Sequence, residues 1–154
     1  MRSRSELMDA YLLSHRHPTN STIHSICVPP IVFSTLALAW LVPIGHWIGL
    51  EGPLADVVNL ATLASLPIGI YYLMLSVGSF ITMSVWFALC AAGILAFQAA
   101  AWPLLPIAAV MWVVSWALQI YGHKLEGAKP SAADDAVFFL IGPLFVTDKW
   151  MKRL

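Results

Sequence analysis

LLPIAAVMWVVSWALQIYGHKLE, residues 104–126, is long and apolar enough to cross a bilayer, yet its last turns become polar along one side. A transmembrane helix needs about 20 apolar residues. Trp112, Trp116, Gln119, His123 and Glu126 recur at i, i+4, i+7, i+11 and i+14, which is one helix face. Gly127 stands where such a helix would stop. Lys124 is the first Lys or Arg after Arg16, and the long interval between them holds only two acids, Glu51 and Asp56. Four of the five histidines, His15, His17, His24 and His123, sit at the edges of that interval. A stretch of this length with so little charge belongs in lipid, and histidines at both of its edges predict that folding brings them together at one membrane surface.

Working outward, the apolar runs predict spans at 26–45, 54–75, 80–97 and 104–126. Pro29-Pro30 lies near the start of the first, where proline is tolerated in a first turn, so a separate interfacial helix is expected over 21–28. Pro67 predicts a kink in the second span. Residues 46–56 read as a polar loop, 76–79 as a tight reversal and 98–103 as another turn. Ser131 and Asp134 resemble a capping box ahead of the apolar run 136–146. That run is too short to span and Gly142-Pro143 interrupts it, so 134–147 is expected to be a re-entrant or interfacial helix. Trp150, Lys152 and Arg153 would anchor it at the headgroups. The expected fold is all-α: one integral membrane domain over 1–154, with four transmembrane helices and short interfacial or re-entrant helices at both ends.

Composition agrees. Of 154 residues 60% are hydrophobic and 10% charged, against about a quarter charged in soluble domains. The formal charge is zero, which leaves no basic field for nucleic acid. Cys27 and Cys90 lack metal-type or disulfide spacing. The first 25 residues contain no apolar core of a cleavable signal. Arg2, Arg4 and Arg16 precede the first span, and Lys124, Lys129, Lys149, Lys152 and Arg153 follow the fourth. The positive-inside rule then puts both termini in the cytoplasm, in a bacterial inner membrane or the endoplasmic reticulum. His46 falls on the opposite side.

Tyr11 and His15 are four apart, on one face if helical. Asn20 is a plausible helix cap, with His24 in the first turn after it. Ionisable groups at membrane depth face a cavity or one another. Imidazoles with a carboxylate can hold a transition metal and leave positions open, and His15, His24 and His123 with Glu126 would supply such a set. The alternative is that these groups cap helices and meet headgroups. His17 is expected to be solvated. Asp134 and Asp135 read as helix N-terminal acids.

The segment YLLSHRHPTNSTIHSICVP, residues 11–29, and the segment WALQIYGHKLEGAKP, residues 116–130, resemble in order and spacing the two signatures of the membrane-bound 2-hydroxy fatty acid dioxygenases. These are the fungal enzymes of fatty-acid α-oxidation and their bacterial relatives. The resemblance covers nearly the whole chain. It departs at His17, where the family usually has asparagine, and at Leu125, where it often has an aromatic. The resemblance implies an Fe(II)-dependent oxygenase that takes a long-chain 2-hydroxy fatty acid and O2 to the acid one carbon shorter plus CO2. His15, His24 and His123 would ligate iron. Glu126 would be a further ligand or a partner of one, and Gln119 and Asn20 would orient ligands or substrate. The competing expectations are a histidine-rich di-iron enzyme, for which five histidines are too few, and a non-enzymatic membrane scaffold or transporter subunit.

Overall fold

The computed structural model describes residues 2–127 and 132–152, and no strand occurs among them. Eight helices follow in order: α1 (Arg4–Leu13), α2 (Pro18–Trp40), α3 (Ile44–Trp47), α4 (Gly52–Val57), α5 (Leu60–Leu75), α6 (Val77–Ala99), α7 (Leu104–Glu126) and α8 (Ala132–Met151). Among the described residues three helical runs are long and apolar enough to cross a membrane: Pro18–Trp47, Val77–Ala99 and Leu104–Glu126. Leu60–Leu75 is apolar but shorter.

Several sequence expectations need correction. The first long helix starts at Pro18 rather than at residue 26, and no separate interfacial helix occupies 21–28. The rule that proline suits a first turn applies to Pro18. His17 accepts the first helical bond on its carbonyl (Ser21 N, 2.9 Å), and its Nδ1 accepts from Thr19 N at 3.2 Å. His17 is therefore the cap, and Asn20 lies inside the helix. Pro29 and Pro30 sit in the interior of α2 without ending it. They deprive only the carbonyls four residues earlier of donors, and Val28 and Ile31 on either side of them are buried. The expected loop at 46–56 overlaps two short helices, α3 and α4. The expected second span is cut at Asn59, whose side chain accepts from Thr62 N and caps α5. Helix α8 runs through Gly142-Pro143 without a break. The expected cap at Ser131 lies outside the described residues.

Two compact units result: residues 1–31 with 113–154, and residues 32–112. In the second, α5 and α6 pack as a hairpin. Ser76 forms their reversal, accepting from Ser79 N at 3.0 Å. Its buried core holds Ala37, Ile94, Leu104 and Ala108, flanked by Phe33 and Phe97. His46 also belongs to this unit, exposed and bonded to Asp56 at 3.0 Å.

The first unit carries the chemistry. Helix α8 is apolar through Ile141, Leu144 and Val146, all fully buried, as a helix surrounded by protein should be. It packs against α1. Arg4 Nη2 donates to both carboxylate oxygens of Asp148, at 2.7 and 2.8 Å. That pair is part-exposed, so its contribution is on the order of 0.2–1 kcal/mol, and orientation is its larger role.

Candidate metal centre

His15 follows the end of α1, His24 is one turn and a half into α2, and His123 is one turn before the end of α7. Within the first unit these three imidazoles converge. Ring centroids lie 4.1 Å apart for His15 and His24, 5.1 Å for His15 and His123, and 4.8 Å for His24 and His123. One nitrogen from each ring lies within 4.8 Å of the others, which is a group that could hold a metal ion. His15 and His24 are buried, each 3% exposed.

Tautomers follow from the bonds behind the rings. His15 Nδ1–H donates to the Tyr11 carbonyl at 2.7 Å. A carbonyl only accepts, so the neutral ring carries its lone pair on Nε2. His24 Nδ1 lies 3.1 Å from the Tyr11 hydroxyl, and a donated Nδ1–H there likewise leaves Nε2 as a lone pair. Neither Nε2 has a hydrogen-bond partner, and both are buried. Two buried, unsatisfied ring nitrogens cost several kcal/mol in sum, at about 1–3 kcal/mol each, unless something pairs with them. A cation does so. Burial pushes His15 down to about 4, with the Tyr11 carbonyl bond opposing the shift. The ring is neutral at pH 7, as a metal ligand must be.

Tyr11 supports two of the three rings and was not singled out as a site residue from sequence. Its ring stacks on His15 at 3.9 Å, with 2° between planes. Phe138 and Phe145 of α8 close over it, at 5.5 and 4.8 Å. Burial raises the Tyr11 phenol above its ordinary value, so its hydroxyl stays protonated. The i, i+4 spacing to His15 was the legible signal. The second contact, to His24, joins two helices and has no local signature.

Glu126 lies outside the three-histidine group. Its Oε1 accepts from Arg16 N at 2.8 Å, and its Oε2 from His17 N at 2.8 Å and Asn20 Nδ2 at 3.1 Å. The carboxylate thus clamps the connection between His15 and α2. Asn20 is fully buried and also donates to Ser14 O at 3.1 Å. Its Oδ1 abuts Gly122, where any Cβ would collide with it. Gln119 is buried one turn before His123. Trp116 stacks on Phe139 as a packing residue. His17 is exposed and acts through its capping bonds rather than in the cluster.

Searches of curated proteins and of solved structures each gave no match. The family described as 2-hydroxy-palmitic acid dioxygenase Mpo1-like matches residues 1–154, the full length, and the chain belongs to that family.

Proposed function

We propose that this protein is an Fe(II)-dependent dioxygenase that converts a long-chain 2-hydroxy fatty acid and O2 to the fatty acid one carbon shorter, CO2 and water. The observation that carries the reading is the convergence of three imidazoles with buried Nε2 atoms of His15 and His24 lacking any partner. Family membership gives the reaction class. The stoichiometry closes without a reducing co-substrate, because oxidative decarboxylation of the 2-hydroxy acid supplies the four electrons that O2 takes up.

His15, His24 and His123 would hold the iron. When bound, it would supply redox access to O2 and a Lewis-acidic site for the substrate's carboxylate and 2-hydroxyl. The chain's own groups do the rest. Tyr11 fixes which nitrogens of His15 and His24 face inward. Glu126 acts as a positioning residue, since its oxygens hold the backbone before α2, and Asn20 ties that clamp to Ser14. Gln119 orients the substrate head by hydrogen bonding. Phe138 and Phe145 keep water from the Tyr11 side. The bilayer concentrates the acyl chain, at about 0.8 kcal/mol per CH2 removed from water. The chain is read as a four-span protein, with Leu60–Leu75 and its flanks as the shortest span and both termini cytoplasmic.

Anaerobic loading with Fe(II), then addition of 2-hydroxypalmitate and oxygen, tests the activity. The C15 acid and CO2 should appear in equal amounts. Stoichiometrically loaded, folded protein that consumes no 2-hydroxy acid would refute it.

A further inference from the structure

We propose that the cavity walled by α1, the start of α2 and α8 binds the carboxylate end of a long-chain acyl substrate outside the histidine cluster. The proposal rests on the functional reading above and adds a second binding site to it. The cavity measures about 670 Å³, within the range of roughly 300–1,000 Å³ usual for small-molecule sites. Met8, Leu12 and Phe145 give it an apolar side. Its charged lining has three bases, Arg4, Lys149 and Lys152, against two acids, Asp9 and Asp148. Arg4 and Asp148 neutralise one another. An aliphatic chain with one negative charge matches both features. Inorganic phosphate would leave the apolar side unused, and a neutral lipid would leave the excess cation unused.

Two shared walls connect this cavity to the histidines. Phe145 lines it, and the same ring lies 4.8 Å from Tyr11 and 6.3 Å from His15, centroid to centroid. Lys149 also lines it. Its ammonium donates to Ser21 O, Ser21 Oγ and Ser25 Oγ at 3.0, 2.8 and 2.9 Å. Ser21 and Ser25 flank His24 on α2. A carboxylate in the cavity is therefore one aromatic ring and one ammonium away from the cluster. The arrangement makes the cavity a waiting position for an acid that arrives from the membrane surface, where α1 and α8 leave Leu13 and Met151 exposed.

The test uses the full-length, iron-loaded protein in detergent and a 2-hydroxy fatty acid bearing a photoreactive group near its carboxyl end, irradiated without oxygen. Adducts should map to residues 5–12 and 145–152. 2-Hydroxypalmitate should compete, and its methyl ester should compete severalfold less well. Leu12→Trp, which fills the cavity from an exposed position, should cut labelling and raise KM severalfold, with iron content and kcat unchanged. Lys152→Glu should do the same through charge. Adducts confined to other segments, equal competition by the ester, or an unchanged KM in both folded variants would overturn the proposal. Labelling is read without turnover. Correct adducts on an inactive enzyme would sink the dioxygenase reading alone, and full activity without these adducts would sink the cavity site alone.

Discussion

At the scale of single residues, Tyr11 organises the centre through two different atoms. Its carbonyl takes His15 Nδ1–H and its hydroxyl faces His24 Nδ1. Tyr11→Phe keeps the stacked ring and removes only the second bond. It should leave the fold intact at a cost of about 1 kcal/mol and weaken iron about 10–100-fold, as loss of a ligand's hydrogen-bonding partner does. Metal titration of the purified variant checks this, and unchanged affinity would remove Tyr11 from the site. His15 gives a pH dependence whose sign follows from burial. Its folded value is lowered from 6.5 to about 4, so between those values the unfolded chain binds more protons. The His15 contribution to the stability of the metal-free protein should therefore fall as pH drops from about 6.5 toward 4 and be fully lost below that. His15→Gln should flatten that slope in thermal melts. The three clustered histidines were legible in the sequence because a long interval without Lys or Arg isolates them near its edges. The cap at His17 was not, because Asn20 has the better intrinsic preference and Pro18 overrode it by fixing the first helical position.

At the scale of elements, the apolar runs identified each long helix, and its ends were set by chemistry that hydropathy does not register. Helix α2 begins eight residues earlier than its apolar run because Pro18 and the His17 cap nucleate it. Helix α7 ends where Gly127 takes a φ of +71°, which was readable from glycine after a periodic run. The junction of α2 with α7 depends on Gly122, which lets the two helices approach until Asn20 Oδ1 touches the glycine. Gly122→Ala should displace Asn20 and loosen the Glu126 clamp, costing about 1–3 kcal/mol as overpacking does. Glu126→Gln should keep the shape but lose the charge on three hydrogen bonds. It should lower iron affinity more than it lowers the melting temperature. Iron content and thermal unfolding measured side by side check both, and loss of iron without any shift in Gly122→Ala stability would contradict the packing argument.

At the scale of the whole molecule, a chain with almost no internal charge gathers its polar groups from its two ends. Residues 1–31 and 113–154 form one unit although about eighty residues separate them in sequence. Such a unit cannot assemble unless the intervening helices return the chain to the side from which it left. An even number of crossings would do this, and among the described residues three helical runs meet the length for a span unaided. In the proposed four-span topology the short α5 would cross with help from its flanks or from local thinning, which costs fractions of a kcal/mol per Å of mismatch. The base distribution favours the same even count: no Lys or Arg lies between Arg16 and Lys124. Single cysteines at Arg16 and Lys124 should therefore react with an impermeant maleimide only when the cytoplasmic face is open, and a cysteine at Glu51 should react from the other face. Cys27 and Cys90 are buried and give a low background. Labelling of positions 16 and 124 from opposite faces would leave an odd count of crossings, and one centre could not then draw on His15 and His123 together.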